Sequence, residues 1–147
     1  MAEDEGVRSL RSALADYGRA RSEALTVARR ELGIGEGDAK ALLHIADNPG
    51  IRPTQLREHL GITAAGVTAL IDRLVDRGAV RRDVDVVDRR VNRITLTIDI
   101  AEQPWAQLTR FDNDFDDELL EVDGDELLRF IELLDTLTAG ALDRGLR

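Results

Sequence analysis

The clearest hydrophobic pattern lies in the middle of the chain, where apolar residues recur at the i, i+3, i+4, i+7 spacing of one buried helical face. These residues are Val67, Leu70, Ile71 and Leu74. Thr63 stands where a side-chain oxygen can accept from free backbone amides, and Gly78 stands where helices commonly end in a left-handed turn. The pattern predicts a helix from about Thr63 to Arg77. The residues left facing outward are small: Ala64, Ala65, Thr68 and Ala69.

A shorter helix precedes this one. Pro53 suits its first position, because the N–H that proline lacks would have no intrahelical partner there. Leu56 and Leu60 continue the helix, and Gly61 closes it. Two short helices joined by a glycine-containing turn form a helix-turn-helix unit, whose second helix can lie in a DNA major groove. The segment therefore predicts a DNA-binding element.

Two short segments after the second helix have the pattern of paired strands. Residues 79–82 and 91–96 can form a hairpin in which Ile94 and Leu96 alternate towards the interior. A loop over residues 83–90, which we interpret as polar, lies between them. The predicted fold is therefore mainly α with a small β-hairpin.

A long helical pattern runs from about Asp4 to Leu32 at the start of the chain. One small domain cannot cover a helix of this length, so the pattern predicts a partner chain. Closely spaced glycines end the pattern, and a compact helix is predicted from Ala39 to Asp47.

Two helices are predicted after the hairpin. The first begins at Ala101 or Glu102 and ends near Val122, with Pro104 in the first turn, where proline is tolerated. An Asp-x-x-Glu sequence that begins at Asp123 resembles a capping box with Asp in place of Ser or Thr, and it opens the last helix.

Two motifs in the central segment are distinctive. One is IDRLVDRG over residues 71–78, and the other is Asp88-x-Arg90 followed by Leu96 and Thr97. In this order and spacing they resemble the winged helix-turn-helix of the MarR family of bacterial transcription regulators. The resemblance implies three parts within one compact domain: an N-terminal dimerisation helix in residues 1–34, a winged helix-turn-helix domain in residues 35–98 and C-terminal dimerisation helices in residues 99–147.

The resemblance implies a transcriptional regulator, in general a repressor, that binds a palindromic double-stranded DNA operator as a homodimer. A two-fold dimer presents its recognition helices to successive major grooves about 34 Å apart. An alternative is a dimeric winged-helix protein that acts through protein contacts without specific DNA reading. The small outward face of the second helix motivates this alternative.

Small residues of the recognition helix are the candidate base contacts: Thr63, Ala64, Ala65 and Thr68. Gly66 departs from the polar residues that the family more often has here, and a helical glycine costs up to about 1 kcal/mol relative to alanine. Arg73 is a candidate phosphate contact. The resemblance implies that Arg90, oriented by Asp88, enters the neighbouring minor groove, and a narrow A·T-rich groove would favour it. Three other arginines are candidate backbone contacts: Arg81, Arg82 and Arg89.

Two of these assignments have structural alternatives. Asp88 and Arg90 can instead form an internal salt bridge that fixes the hairpin. Thr68 can be an ordinary exposed residue of the helix. The sequence leaves both alternatives open.

Net charge at first argues against DNA binding, because the chain carries −9 and basic residues supply most non-specific affinity for phosphate. The distribution of charge removes the objection. Residues 52–93 hold nine arginines and six acids, a net of +3, so the remainder carries −12. Such segregation is expected when one face meets a polyanion.

Composition excludes several other classes of protein. A chain of 147 residues with 43% hydrophobic residues has the length and the apolar content of one globular domain. No apolar run approaches the roughly 18 residues of a membrane span, and the acidic start lacks the order of a signal peptide. A cytoplasmic location without a membrane partner is expected. The absence of cysteine excludes disulfides and thiol-based peroxide sensing.

A small anionic or phenolic effector is a further implication of the resemblance, bound between the winged unit and the dimer helices. Candidate residues for its cleft are Tyr17, His44 and Trp105, and the alternative is that all three are core or surface residues. The two histidines, His44 and His59, lie in separate predicted helices, so no histidine-based metal site is expected. No cofactor or catalytic residue is predicted, because no phosphate loop or paired-carboxylate motif is present.

A calcium loop is an alternative for the acidic segment from Asp112 to Asp123. Asp112, Asp114 and Asp116 occupy the first, third and fifth positions of such a loop. Asp117 stands where the loop requires glycine, and Asp123 stands where it requires glutamate. The apolar residues between the acids also fit a continuing helix, which would splay the carboxylates apart.

Overall fold

The computed structural model describes residues 2–88 and 92–145, which form helices and a two-stranded antiparallel hairpin. The elements in chain order are α1 (Ala2–Glu31), α2 (Glu36–Asp47), α3 (Pro53–Leu60), α4 (Ala64–Asp76), β1 (Val80–Val84), β2 (Asn92–Leu96), a 3₁₀ helix (Trp105–Leu108), α5 (Arg110–Leu119) and α6 (Gly124–Gly145). The predicted fold class, mainly α with a β-hairpin, is confirmed. None of the helices in these ranges is both long and apolar enough to cross a membrane.

The chain divides into two compact units, of which the first ends at Phe111 and the second begins at Asp112. The core of the first unit is built on the predicted stripe of α4, whose members are all buried: Val67, Leu70, Ile71 and Leu74. They belong to one apolar cluster with fully buried residues of α2, α3 and β2: Leu42, Ile45, Leu56 and Ile94. Burying such a side chain contributes roughly 1.5–3 kcal/mol. The cluster therefore fixes α4 in the unit and leaves its opposite face to solvent.

Local signals at both ends set the bounds of α4. The Thr63 hydroxyl oxygen accepts a hydrogen bond from the Gly66 N–H at 3.0 Å, as expected of an N-cap. Gly78 follows the helix with φ 69°, and the Ala79 N–H donates to the Leu74 carbonyl at 2.9 Å. This pattern is a Schellman motif. Both predicted ends are confirmed to within one residue.

The hairpin pairs Val80 with Leu96 at its base and Val84 with Asn92 at its far end. β1 continues past the strand predicted over residues 79–82, so the loop between the strands is shorter than expected. The first residue of the second predicted strand lies outside the described residues. The hairpin stands beside α4 as the wing of a winged helix.

The segment after the hairpin corrects a prediction. The single helix expected from Ala101 or Glu102 to Val122 is wrong: the structure has turns, the 3₁₀ helix and then α5. The Asp99 side chain accepts from the Ala101 N–H at 2.9 Å, and its carbonyl accepts from the Glu102 N–H at 3.2 Å. These local bonds hold residues 99–102 in turns where the predicted helix would begin.

In the second unit, Asp123 caps α6. Its Oδ1 accepts from the N–H groups of Asp125 and Glu126 at 3.1 Å and 3.0 Å, which confirms the predicted start of the last helix. None of the described residues of α6 is buried. Large apolar side chains lie exposed along the helix: Leu128, Phe130, Ile131, Leu133 and Leu137.

The acidic segment that could have formed a calcium loop is helical. Asp112, Asp114 and Asp116 lie within α5, where alternate residues point about 200° apart around the axis. They therefore lack the loop conformation that converging calcium ligands need. Across the described ranges, no group of three or more metal-ligating side chains is close enough to hold an ion.

Candidate nucleic-acid interface

The outward face of α4 is exposed and small, as predicted. Ala64, Ala65, Thr68 and Ala69 all lie at the surface. The Thr68 hydroxyl donates to the Ala64 carbonyl at 3.0 Å, so its oxygen keeps acceptor capacity. The Thr63 oxygen accepts from a backbone amide, so its O–H remains a donor. The face therefore offers methyl groups between one donor and one acceptor.

Gly66 lies directly under the cap of this helix. A Cβ at this position would lie 3.1 Å from the Thr63 hydroxyl oxygen and 3.6 Å from Cβ of Ile62. The first distance is shorter than ordinary van der Waals contact. The absence of a side chain at position 66 therefore makes room for the capping oxygen.

Arg73 of α4 has an internal partner that the sequence did not indicate. Its Nη2 lies 2.7 Å from Oδ1 of Asp38 in α2, and the Asp38 side chain is only 6% exposed. The hydrogen bond and the charge of Asp38 raise the pKa of Arg73. The phosphate contact expected of Arg73 stays a prediction, since the observed role of its guanidinium is to bind α2.

A second arginine ties the end of α4 to the segment that follows α1. The Nη2 of Arg77 donates to the carbonyl oxygen of Gly33 at 2.5 Å. With the pair formed by Arg73 and Asp38, this bond connects the C-terminal half of α4 and its C-cap to α2 and to the segment that follows α1.

The two arginines of β1 are exposed and paired with acids. The Nε of Arg81 lies 2.9 Å and 3.0 Å from the two carboxylate oxygens of Asp83. The Nη2 of Arg82 lies 2.5 Å from Oδ1 of Asp72, on the outward side of α4. The second pair joins the wing to the recognition helix. Contacts of Arg81 and Arg82 with a DNA backbone stay predictions.

Asp85 closes the turn at the tip of the wing and was missed by the sequence interpretation. Its Oδ1 accepts from the N–H groups of Val87 at 2.8 Å and Asp88 at 3.2 Å, and its Oδ2 accepts from Nε of Arg93 at 2.6 Å. The hydrogen bond from Val87, then those from Asp88 and Arg93, lower the pKa of Asp85. The Nη1 of Arg93 also donates to the carbonyl of Gly50 at 3.1 Å, which ties the turn to the body of the unit. An aspartate in a loop, whose side chain can accept from the backbone N–H two residues further on, is the signal that could have indicated this turn.

The motif that carries the predicted minor-groove contact is described only in part. Asp88 is exposed and donates its backbone N–H to Asp85. Arg89 and Arg90 lie outside the described residues. The orientation of Arg90 by Asp88, and its alternative as a purely internal salt bridge, therefore stay predictions.

The loop predicted as polar over residues 83–90 also carries exposed apolar side chains among its charged residues. Val84, Val86 and Val87 are 58%, 97% and 96% exposed. These valines lie among charged residues. The prediction of a polar loop rested on the charged residues alone.

The three candidate effector residues lie in different surroundings. Tyr17 lines a cleft of about 350 Å³ between α1 and α2, together with polar and basic residues: Arg21, Ser22, Thr26, Arg29, Glu36 and Lys40. His44 and Trp105 are not part of its lining. Trp105 is half-buried against the core.

His44 of α2 stacks on His59 of α3, with ring centroids 3.5 Å apart and planes 6° from parallel. Burial lowers the pKa of His44, the charge of His59 lowers it further, and the carboxylate of Asp47 acts in the opposite direction. The structure thus assigns His44 to a contact between two helices rather than to the cleft.

Comparisons with known proteins identify the family. The sequence profile of the MarR family matches residues 32–91, which include the helix-turn-helix and β1. The transcriptional regulator HosA of Escherichia coli O111:H− is 33% identical over 91 residues, which are 61% of this chain and 67% of HosA. The chain belongs to the MarR family.

Solved structures show the same fold. A MarR family protein from Bacillus stearothermophilus has a TM-score of 0.66 at 18% identity, over 95% of this chain and 97% of that one. A mutant of S. aureus MepR bound to an oligodeoxyribonucleotide has a TM-score of 0.60 at 16% identity, over 90% of this chain and 97% of that one. As a member of the MarR family, the protein is a transcriptional regulator with a DNA-binding winged helix, and it is not an enzyme.

Proposed function

We propose that this MarR family protein is a homodimeric repressor that binds a palindromic operator, with α4 in the major groove and the wing across the flanking backbone. The observation that carries the proposal is the outward face of α4. It is exposed and built of small side chains, and the pair between Arg82 and Asp72 holds the wing beside it. A helix without bulky side chains on this face can approach base edges closely.

Base reading on this face would rest on few groups. The methyl groups of Ala64 and Ala65 suit contact with thymine methyls. The Thr63 O–H can donate to a base acceptor or a phosphate, and the Thr68 oxygen can accept from a base amino group. Each such contact discriminates by about 1–3 kcal/mol at most, so the wing must contribute to specificity as well.

The homodimer is supported by uncovered apolar residues in each compact unit. In α1, Val7 and Leu14 are exposed, and in α6 Leu128 and Leu137 are half or more exposed. Large apolar side chains that recur along an exposed helix are typical of a surface that a partner covers. A second copy of the chain that covers these helices would place two recognition helices on successive grooves about 34 Å apart.

An effector is supported by the cleft that Tyr17 lines. Its basic residues, Arg21, Arg29 and Lys40, favour an anionic group, and the phenol of Tyr17 suits an aromatic or phenolic ring. Lys40 already pairs with Glu36 at 2.7 Å, so a bound carboxylate would compete for this ammonium group. Release of DNA requires that the ligand bind one dimer geometry more tightly than the other.

The experiment that tests DNA binding is a gel-shift titration of the purified chain against the DNA upstream of its own gene. It is run at low and near-physiological salt with unrelated duplex as competitor, and Arg90→Ala is compared with Arg144→Ala of α6. Retention that survives competitor, weakens with salt and is lost only in Arg90→Ala supports the proposal. Binding that is indifferent to sequence, or none, contradicts repression of its own gene and favours action through protein contacts.

Transcription in vitro separates repression from activation, because a repressor lowers the transcript from a promoter that overlaps the retained fragment. Sedimentation equilibrium of the same sample tests the dimer. Salicylate, as a small phenolic carboxylate, serves as the probe for the cleft. It is expected to weaken the gel shift of the wild type and to have less effect on Arg21→Ala.

A further inference from the structure

One ion pair joins the wing directly to α4. Nη2 of Arg82 in β1 lies 2.5 Å from Oδ1 of Asp72 in α4, ten residues earlier in the chain. The two side chains are 37% and 53% exposed, so water and solutes can reach both. Exposed pairs of this kind add little to the free energy of unfolding. The pair therefore has more effect on what approaches this surface than on the stability of the fold.

Arg82 is anchored on the inner side of the hairpin. Its register partner in β2 is Ile94, which is fully buried. Directly opposite residues of an antiparallel pair point to the same face of the sheet. The stem of Arg82 therefore leaves the strand on the side of the core, and the bond to Asp72 fixes where its guanidinium lies relative to α4.

The neighbouring arginine of β1 is paired in a different way. Nε of Arg81 lies 2.9 Å and 3.0 Å from the two carboxylate oxygens of Asp83, two residues further along the same strand. This pair cancels the charge of an arginine as the first pair does, but it stays within β1 and fixes nothing relative to α4. Asp83 is thus a matched control for Asp72, because each aspartate neutralises one arginine of β1.

A guanidinium that is held by a carboxylate can bind phosphate only under a restriction. The bond to Asp72 occupies one of the five N–H groups of Arg82, so donors remain for a phosphate oxygen in one fixed orientation. To reach a phosphate that is placed elsewhere, the guanidinium must first leave Asp72. Binding to DNA of arbitrary sequence depends almost entirely on phosphate contacts. The restriction therefore weakens binding in every register that does not match the fixed orientation.

We propose that Asp72 is a positioning residue for specificity. It holds the guanidinium of Arg82 where it meets a phosphate in the operator register of α4, and it thereby lowers the affinity for other DNA. This inference rests on the proposed function. Specific recognition needs features that disfavour wrong partners as well as contacts that favour the right one. In the operator complex the pair stays formed, so Asp72 reduces affinity there far less than on other DNA.

The test uses the full-length chain, a duplex that it selects from a random library and a scrambled duplex of the same composition. Dissociation constants are measured by fluorescence anisotropy between about 50 and 200 mM salt. The wild type is compared with Asp72→Asn, which releases Arg82, and with Asp83→Asn, which releases Arg81 with the same change of charge. Asp72→Asn is also made in an Arg82→Gln background.

In Asp72→Asn we expect about fivefold tighter binding to the scrambled duplex at about 0.1 M salt, because one more guanidinium can follow any phosphate. On this duplex the slope of log K against log salt should steepen by up to about 0.9. Affinity for the selected duplex should change by less than about twofold, so the ratio of the two affinities should fall.

The control variants should keep that ratio. In Asp83→Asn it should stay as in the wild type, because Arg81 is not held relative to α4. In the Arg82→Gln background Asp72→Asn should leave the ratio unchanged, since there is no guanidinium to release. Thermal unfolding should shift little in Asp72→Asn, because the pair that it removes is exposed.

Two other results overturn the inference, and they differ in what they say of DNA binding. If Asp72→Asn leaves binding to the scrambled duplex unchanged, or tightens binding to both duplexes equally, operator binding stands and Asp72 has no part in its specificity. A library that yields no common motif contradicts the proposed function together with this inference.

Discussion

Arg73 and Asp38 form an ion pair in which one partner is buried and the other is half in water. The Asp38 side chain is 6% exposed, whereas that of Arg73 is 56% exposed. Breaking the pair should therefore cost more free energy when it leaves the buried carboxylate unpaired than when it leaves the guanidinium unpaired. Water can solvate the exposed guanidinium but not the buried carboxylate.

We expect Arg73→Ala to be more destabilising than Asp38→Asn. The first leaves a buried carboxylate without its partner and should lower the free energy of unfolding by about 2 kcal/mol. The second leaves a guanidinium that water can reach and should cost about 1 kcal/mol. Urea unfolding measures both, with Lys40→Ala, which removes an exposed pair, as the control. Equal losses in the two variants would contradict the asymmetry.

The cap of α4 and Gly66 should be coupled. Thr63→Ala removes the capping oxygen and should cost about 1 kcal/mol. Gly66→Ala gains up to about 1 kcal/mol of helix propensity, but in the wild type its Cβ would crowd the Thr63 oxygen at 3.1 Å. The gain should therefore be larger in the Thr63→Ala background. A double-mutant cycle by thermal unfolding measures the coupling, and strict additivity would argue that the cap yields without cost.

The turn of the wing should open in acid. Because hydrogen bonds from Val87, Asp88 and Arg93 lower the pKa of Asp85 below its ordinary value of 3.8, the ionised form stabilises the folded turn. This stabilisation is present above the unfolded pKa and is lost as the pH falls through the lower folded pKa. The amide proton shift of Val87 in an NMR titration should therefore change with a midpoint below 3.8. In Asp85→Asn this transition should be absent, and a midpoint at or above 3.8 in the wild type would refute the expectation.

The histidine stack should weaken the protein at mildly acidic pH. The pKa of His44 is lowered from 6.5, so below pH 6.5 the unfolded chain binds a proton that the folded protein resists. The free energy of unfolding should fall as the pH decreases from about 6.5 to the folded pKa of His44. Urea midpoints between pH 8 and pH 5 test this, and His44→Gln should remove much of the decline. A decline that is identical in this variant would assign the effect to other groups.

The parts of the fold that were predicted correctly have local causes. The ends of α4 depend on Thr63 and Gly78, which act within a few residues of themselves, and the buried stripe follows from helical periodicity. The turns after the hairpin were missed because helical periodicity does not show the bonds that Asp99 makes to the N–H groups of Ala101 and Glu102.

Sequence patterns over a few neighbouring residues could not predict most of the contacts that shape the site. Asp38 and Arg73 are 35 residues apart, and Arg93 and Gly50 are 43 apart, so only the folded chain brings them together. The exposed valines of the loop, Val86 and Val87, were visible in the sequence, but the interpretation used only the charged residues around them, because these matched a family motif.

The bonds that connect α4 to its neighbours have a mechanical consequence. Arg77, the C-cap of α4, binds the carbonyl of Gly33, two residues after α1 ends, and Arg73 binds α2, so α4 is connected to the C-terminal end of a long helix. α1 has 30 residues and a length of roughly 45 Å at 1.5 Å per residue. If α1 pivots by about 5° about its N-terminal end, its C-terminal end moves by roughly 4 Å. This distance exceeds the rise of one base pair, about 3.4 Å. A rotation of a few degrees in a long helix would be enough to shift α4 out of register with the bases that we propose it reads.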